Sequence, residues 1–151
     1  MANEIKSQIL EIAQDLLEKL EITGEVVVED GEEGSFKVVI NTEETGLLIG
    51  HHGETLNSFQ LILGVILFKK RGVWARVLVD VGDYRKLREE SIKEMVNRIV
   101  SEVETAGLPV TLPFLTPLER RIVHVMLTGH EKVVSESTGE GRDRRLTIRP
   151  K

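Results

Sequence analysis

Apolar residues recur at helical spacing in three parts of the chain, and each part predicts a helix. The first begins with Asn3 as its cap, and the third ends before Gly107. The second is apolar nearly all round, so we expect it to be buried between two layers of the fold. The three segments are residues 3–20, 54–70 and 84–106, and the inner stripe of the third is Leu87, Ile92, Met95, Ile99 and Val103.

Strand signals occupy most of the intervals between these helices. A short helical turn is expected before Gly50, and the prolines of residues 108–117 favour an extended segment or edge strand. A further helix is predicted to begin with Thr116 as its cap, Pro117 at its first position and Glu119 in a capping position. The predicted strands are residues 25–30, 36–40, 77–81, 132–138 and 144–150.

The length and composition limit the number of domains and the class of protein. With 151 residues, 40% of them hydrophobic, the chain can form one ordinary domain or two small ones. The element order favours two small α+β domains, residues 1–83 and 84–151. The chain has no cysteine, no secretory signal and no apolar stretch that approaches the length of a membrane span. We therefore expect a cytoplasmic protein without a membrane segment or a thiolate metal site.

The formal net charge of −5 does not exclude a nucleic-acid partner, because the charges are unevenly distributed. Residues 1–35 hold ten acids and two lysines, whereas residues 107–151 hold eight basic residues and five acids, a local excess of +3. Phosphate binding depends on the local electric field. A basic face in the last third of the chain is therefore compatible with the acidic first third.

Two glycines, Gly50 and Gly53, enclose a pair of histidines between an aliphatic run and a predicted helix. A backbone without Cβ atoms lets a sugar-phosphate chain approach closely, and the start of the following helix offers N–H donors to an anion. A tight corner without a ligand produces the same pattern, and the four residues alone favour that interpretation. The surrounding element order favours a nucleic-acid-binding loop instead. The candidate loop residues are Ile49, Gly50, His51, His52, Gly53 and Glu54.

A second candidate cluster lies in the last third of the chain. Arg120 and His124 are one helical turn apart and share a face. Arginine offers a planar fork to phosphate, and histidine can stack on a base. The alternatives are a solvated helix face and hairpin arginines that keep an edge strand from pairing with another molecule. The candidate nucleic-acid-binding residues of this second domain are Arg120, Arg121, His124, Arg142, Arg144 and Arg145.

Two segments resemble one protein family. GLLIGHHGETLNSFQLIL, residues 46–63, resembles the KH segment of the bacterial Jag family, also called KhpB or SpoIIIJ-associated proteins. Residues 112–150 resemble that family's R-three-H domain, named for an arginine and a histidine separated by three residues, as Arg120 and His124 are. The two resemblances occur in the family's order and together cover nearly the whole chain. The family's N-terminal Jag domain and linker are not recognisable.

The resemblance implies a KH fold, with helices packed on a three-stranded sheet, followed by an R-three-H fold with helices on a small sheet. It also implies a regulator of cell division, elongation or sporulation that binds single-stranded RNA. Whether single-stranded DNA competes stays open. A separate small KH protein is the implied protein partner, and no cofactor or metal is expected. Base-reading groups in a KH groove are largely main-chain groups, so the sequence predicts no base preference.

The loop departs from the family pattern in one respect. KH loops commonly place a basic residue between the glycines, where this chain has His51 and His52. Because histidine has a reference pKa of about 6.5, such a loop carries little charge near neutral pH. We therefore predict that RNA affinity rises as the pH falls from about 8 to about 6.

Two other classes of function fit parts of the sequence. An enzyme would need a catalytic or metal-binding constellation, but His51 and His52 are expected to diverge on a regular element. The chain also has no H-E-x-x-H motif, P-loop or nucleophile elbow, so we expect no enzyme. The remaining alternative is a non-catalytic scaffold whose KH groove binds a protein partner. Salt dependence separates the two binding functions, because phosphate binding weakens steeply with salt.

Overall fold

The computed structural model describes every residue from Met1 to Lys151. The chain forms two compact units, Met1–Arg85 and Lys86–Lys151, and each has its own hydrophobic core. Each unit contains helices and one three-stranded sheet, which confirms the α+β class. The predicted domain boundary between residues 83 and 84 stays a prediction.

The first unit has three helices and three strands. The second strand in the chain is central in the sheet. It pairs antiparallel with the first strand and parallel with the third, so the third is an edge strand. A short helix before Gly50 is present as expected, and the chain then makes a 3₁₀ turn at His51–Gly53. The elements are α1 (Ala2–Lys19), β1 (Gly24–Asp30), β2 (Phe36–Thr42), α2 (Thr45–Ile49), α3 (Glu54–Arg71) and β3 (Val77–Val81).

Alternation along the strands explains the core of the first unit. Val77, Val79 and Val81 point to the same side of β3, and all three are buried. The buried residues of α1 and α3 belong to the same cluster. The prediction of Asn3 as the cap of α1 is wrong, because Met1 occupies the cap position and the helix already begins at Ala2, a strong helix former.

The expectation that α3 is buried on all sides is also wrong. Its inner side is buried, but several apolar side chains on or against its outer side are exposed. α1, α2 and β3 pack against α3, and the side chains on its outer side stay exposed. We call this surface the apolar α3 face; its residues and exposed fractions are Leu61 (61%), Val65 (43%), Phe68 (40%) and Trp74 (56%).

The second unit packs two helices on a small antiparallel sheet. The last strand of the chain lies between the other two, so the strand from the proline-rich segment is an edge strand, as predicted. The predicted strands at residues 132–138 and 144–150 pair as a hairpin, which confirms that prediction. Leu87 does not belong to the inner stripe of α4, because it lies near the start of the helix, whereas the buried stripe begins at Ile92. The elements are α4 (Tyr84–Ala106), β4 (Val110–Thr111), α5 (Pro117–Leu127), β5 (Val133–Thr138) and β6 (Arg145–Pro150). The first two residues of α4 still belong to the first unit.

Candidate nucleic-acid interface

The loop between α2 and α3 has a backbone conformation that requires glycine at its first position. Gly50 has φ 71° and ψ −170°, a combination that L-residues avoid. A Cβ at Gly50 would overlap the hydroxyl oxygen of Thr55 and lie 3.0 Å from its backbone nitrogen. The first glycine of the pair is therefore needed to form the corner itself.

The second glycine is covered by an aromatic ring. Gly53 is buried, with φ 82°, and a Cβ there would lie 2.9 Å from the ring of Tyr84. The missing side chain at this position makes room for Tyr84. The expectation that both glycines leave backbone open to a ligand therefore does not hold at Gly53, and the accessible residues between α2 and α3 are Gly50, His51 and His52.

The two histidines stack on one another. The ring centroids of His51 and His52 are 3.9 Å apart, and the ring planes differ by 27°. The expectation that the rings diverge is wrong, because His52 has φ 53° and the chain does not follow a regular element there. His51 is exposed and His52 is half-buried. Ile49, at the end of α2, is half-buried, and Glu54, at the start of α3, is exposed.

A polar cluster that the sequence did not indicate lies next to this loop. Arg85 donates from Nε to the carbonyl of Val79 at 2.7 Å, from Nη2 to Oε1 of Gln60 at 2.9 Å and from Nη1 to Oδ1 of Asn57 at 3.3 Å. Oδ1 of Asp80 accepts from the backbone nitrogen of Arg85 at 3.3 Å. Burial lowers the pKa of Arg85 below its ordinary value, while the neighbouring Asp80 acts in the opposite direction.

In the second unit, α5 begins with the predicted capping box. Thr116 accepts from the backbone nitrogen of Glu119 at 3.3 Å, and the Glu119 carboxylate accepts from the backbone nitrogen of Thr116 at 3.0 Å. The same carboxylate forms an ion pair with Arg88 of α4 at 2.9 Å, in which both side chains are largely buried. Arg88 was not predicted, because it precedes Glu119 by 31 positions and no local pattern connects them.

Two of the candidate arginines hold the proline-rich segment before α5. Arg120 donates from Nη1 to the carbonyl of Leu115 at 2.7 Å. Arg145 lies over the ring of Phe114, 5.3 Å from its centroid. The two guanidinium groups therefore contact adjacent residues of one segment, and part of their role is structural.

His124 and Arg144 both contact serines of β5. Nδ1 of His124 lies 2.5 Å from the hydroxyl of Ser135, and Arg144 donates from Nε to the hydroxyl of Ser137 at 2.7 Å. Because Ser135 and Ser137 are two residues apart in a strand, their side chains share one face. The contacts place His124 and Arg144 along the same edge strand. The two serines were not predicted, since nothing in a polar strand distinguishes them.

The remaining candidates, Arg121 and Arg142, are exposed and their side chains form no hydrogen bond or ion pair. Arg121 lines a groove with Leu118 and Val125, whereas His124 contacts Ser135 of β5. Four of the six candidate residues of the second unit therefore also make contacts within the fold. The other two, Arg121 and Arg142, have free cationic side chains.

Comparison with known families defines the class of protein. The family model of the KhpA/KhpB KH domain matches residues 6–81, and that of the R-three-H domain matches residues 90–150. The chain is therefore a protein with a KH domain followed by an R-three-H domain. It belongs to the KhpB family, also called Jag, which confirms the resemblance of the sequence.

Relatives of known name resemble the chain over most of its length. RNA-binding protein KhpB of Clostridium symbiosum is 28% identical over 145 residues, which are 95% of this chain and 65% of that protein. The protein of the same name from Bacillus subtilis is 28% identical over 89% of this chain and 65% of its own length. The one from Lactiplantibacillus plantarum is 34% identical over 68% of this chain and 31% of its own length. The chain thus spans at most 65% of these relatives.

Two further observations concern membranes and metals. None of the helices combines the length and hydrophobicity needed to span a lipid bilayer. The structure places no three histidine, aspartate or glutamate side chains together as ligands for a metal ion.

Proposed function

We propose that the chain binds single-stranded RNA without catalysing a reaction, through the His51–His52 loop of the first unit and the arginine surface of the second. The observation that carries the proposal is the occurrence of a KH and an R-three-H domain in one chain whose relatives are named RNA-binding proteins. It would act in the cytoplasm, as the composition indicates, and in cell division, elongation or sporulation, as the family resemblance implies. Adding single-stranded DNA as a competitor of the bound RNA tests whether the same sites also accept DNA.

The two surfaces offer different chemistry to a strand. His51 is exposed and stacks on half-buried His52, so its ring offers an aromatic surface on which a base can stack. The second unit offers the free cations Arg121 and Arg142, with Arg144 beside Ser137. We therefore assign base stacking to the first unit and most of the phosphate contacts to the second.

Loss of two hairpin arginines is expected to reduce the salt dependence of RNA binding. Phosphate contacts release counterions, and each contact to a single strand contributes about 0.7 to the slope of log affinity against log salt. Arg142→Ala with Arg144→Ala should therefore lower the slope by up to about 1.4, measured with a fluorescent oligouridine across a salt series.

The matched control is Arg76→Ala with Arg98→Ala, which removes the same charge from exposed positions of the two units. An equal loss of slope in both double variants would show that only the net charge matters. The RNA proposal itself would be rejected if the unmodified protein did not associate with the oligonucleotide in dilute buffer.

A second function, binding of a separate small KH protein, is favoured by the apolar α3 face. Exposed apolar side chains rimmed by polar residues mark interaction sites. Trp74 packs closely on Gly64, where a Cβ would lie 3.2 Å from the indole, and lies 6.0 Å from the ring of Phe68. The two aromatic rings therefore form part of one apolar surface. The occupant we propose is a KhpA-type KH domain, since one family model covers the KH domains of KhpA and KhpB.

Val65→Glu is expected to weaken association with a purified KhpA-type protein by at least about tenfold, because it places a charge in the centre of an apolar interface. Sedimentation velocity of the mixture measures the change. Leu20→Glu, at an exposed leucine after α1, is the control and should leave association unchanged. Equal affinity of the Val65 and Leu20 variants would place the interface elsewhere.

A further inference from the structure

Side chains cover the exposed edge of β3 at Val79. Val79 donates its backbone N–H to Oε1 of Gln60 at 2.8 Å, and its carbonyl accepts from Arg85 at 2.7 Å. Because β3 is an edge strand, these two main-chain groups would otherwise be open. A nucleotide at this edge therefore meets the side chains of Gln60 and Arg85 instead of the strand.

The hydrogen bonds determine what these side chains can still offer. Oε1 of Gln60 accepts from both Val79 and Arg85, and Oδ1 of Asn57 accepts from Arg85. The amide oxygens are therefore occupied, and the amide NH₂ groups remain as donors. Arg85 uses three of its guanidinium N–H groups in these bonds, out of five that an arginine carries. We call Asn57, Gln60 and Arg85 the Arg85 cluster, and its unused groups are all donors.

The Arg85 cluster adjoins the proposed RNA loop. Tyr84, the residue before Arg85, contacts Gly53 of the loop. Asn57 lies four residues after Gly53, in the first turns of α3. A strand that stacks on His51 and His52 can therefore reach the Arg85 cluster with a neighbouring nucleotide.

The local charge favours a base over a phosphate as the ligand of this cluster. Asp80 is buried, and its Oδ1 accepts from the backbone nitrogens of Val81 at 2.9 Å and Arg85 at 3.3 Å. The carboxylate is a negative neighbour of Arg85, so it reduces the attraction of this cluster for a phosphate. The directional N–H donors remain, and they suit a neutral group with adjacent acceptors.

We propose that the Arg85 cluster recognises a guanine of the bound strand through its O6 and N7 acceptors. Guanine presents these two acceptors side by side, which matches the paired N–H groups of a guanidinium. In a single strand this edge is accessible to protein. The inference rests on the proposed RNA binding and deepens it, because it replaces main-chain reading by side-chain reading and introduces a base preference.

The test compares a short oligouridine with the same oligonucleotide carrying one central guanosine. The unmodified protein should bind the guanosine probe about tenfold more tightly, as expected for one bidentate contact. Replacing that guanosine by 2-aminopurine, which lacks O6, should remove the preference. Arg85→Lys keeps the charge but loses the fork, so it should bind both probes within about twofold of each other. Arg76→Lys is the matched control and should keep the preference.

Asn57→Asp provides a second variant, because Asn57 is exposed and the new carboxylate still accepts from Arg85 while the NH₂ donors are lost. It should also reduce the guanosine preference. A preference that persists in both variants, or is absent from the unmodified protein while oligouridine binds, overturns the guanine assignment alone. An equal loss for both probes with a shallower salt slope in Arg85→Lys also overturns it, in favour of a phosphate contact. Absence of binding to every probe would instead reject the proposed RNA function.

Discussion

Gly50→Ala is expected to destabilise the first unit by about 2–4 kcal/mol, the largest effect of any single methyl group added to the candidate loop. Gly50 has a positive φ with an extended ψ, which is essentially restricted to glycine. The added Cβ would also lie 3.0 Å from the backbone nitrogen of Thr55, which cannot move without distorting the start of α3. Strain and overlap therefore act together.

The single tryptophan makes this effect measurable in one unit. Trp74 belongs to the first unit, so its fluorescence during urea unfolding reports on that unit. Gly46→Ala is the matched control, since Gly46 lies within α2 and a Cβ there has no neighbour within 4 Å. Alanine at a helical position should raise stability by about 0.5–1 kcal/mol. Equal shifts of the two variants would show that the corner at Gly50 is not strained.

A test of RNA binding by the loop needs variants in which the corner at Gly50 stays folded. His51→Asp with His52→Asp is suitable, because aspartate tolerates the left-handed conformation of residue 52 better than most residues. Loss of oligouridine binding without a shift in the Trp74 transition would assign the loss to the loop surface. For Gly50→Ala we expect weaker oligouridine binding together with a lower midpoint of the Trp74 transition.

Local chemistry made much of the fold predictable from sequence. The capping box at Thr116 and Glu119, the helix limits of α4 and the hairpin of β5 and β6 depend on residues close together in the chain. The environment of α3 could not be predicted in the same way. A helix that is apolar nearly all round has the same sequence whether a second layer of its own chain or another protein covers its outer side.

The candidate site was predictable only where it lies in one short segment. The loop at residues 50–53 is visible in the sequence, but the ring of Tyr84 that fills the space at Gly53 is not. The contacts of Arg85 with Asn57 and Gln60 join positions separated by 28 and 25 residues. Such contacts follow from the packing of α3 beside β3, and no periodicity or motif marks them.

Glu119→Ala is the second change with a large expected effect, and it acts on the second unit. One carboxylate accepts from the backbone of Thr116 and pairs with Arg88, so its removal breaks a helix cap and leaves a largely buried guanidinium without its partner. Loss of a cap costs about 1 kcal/mol. Breaking a buried ion pair costs about 3–5 kcal/mol, less where water still reaches the arginine. Because a fifth of the Arg88 side chain is exposed, the pair contributes less than a fully buried one, and we expect a destabilisation of about 2–4 kcal/mol in total.

Circular dichroism and Trp74 fluorescence together locate this effect. Glu119→Ala should lower the denaturant midpoint of part of the helical signal while the fluorescence midpoint stays unchanged, because the tryptophan belongs to the other unit. Glu119→Gln can still accept the capping bond but lacks the charge, so its loss should be about half as large. Glu131→Ala removes the same charge from an exposed position and should change neither signal. If Glu119→Ala shifted both transitions equally, the two units would unfold as one cooperative body and the capping contact would stabilise both.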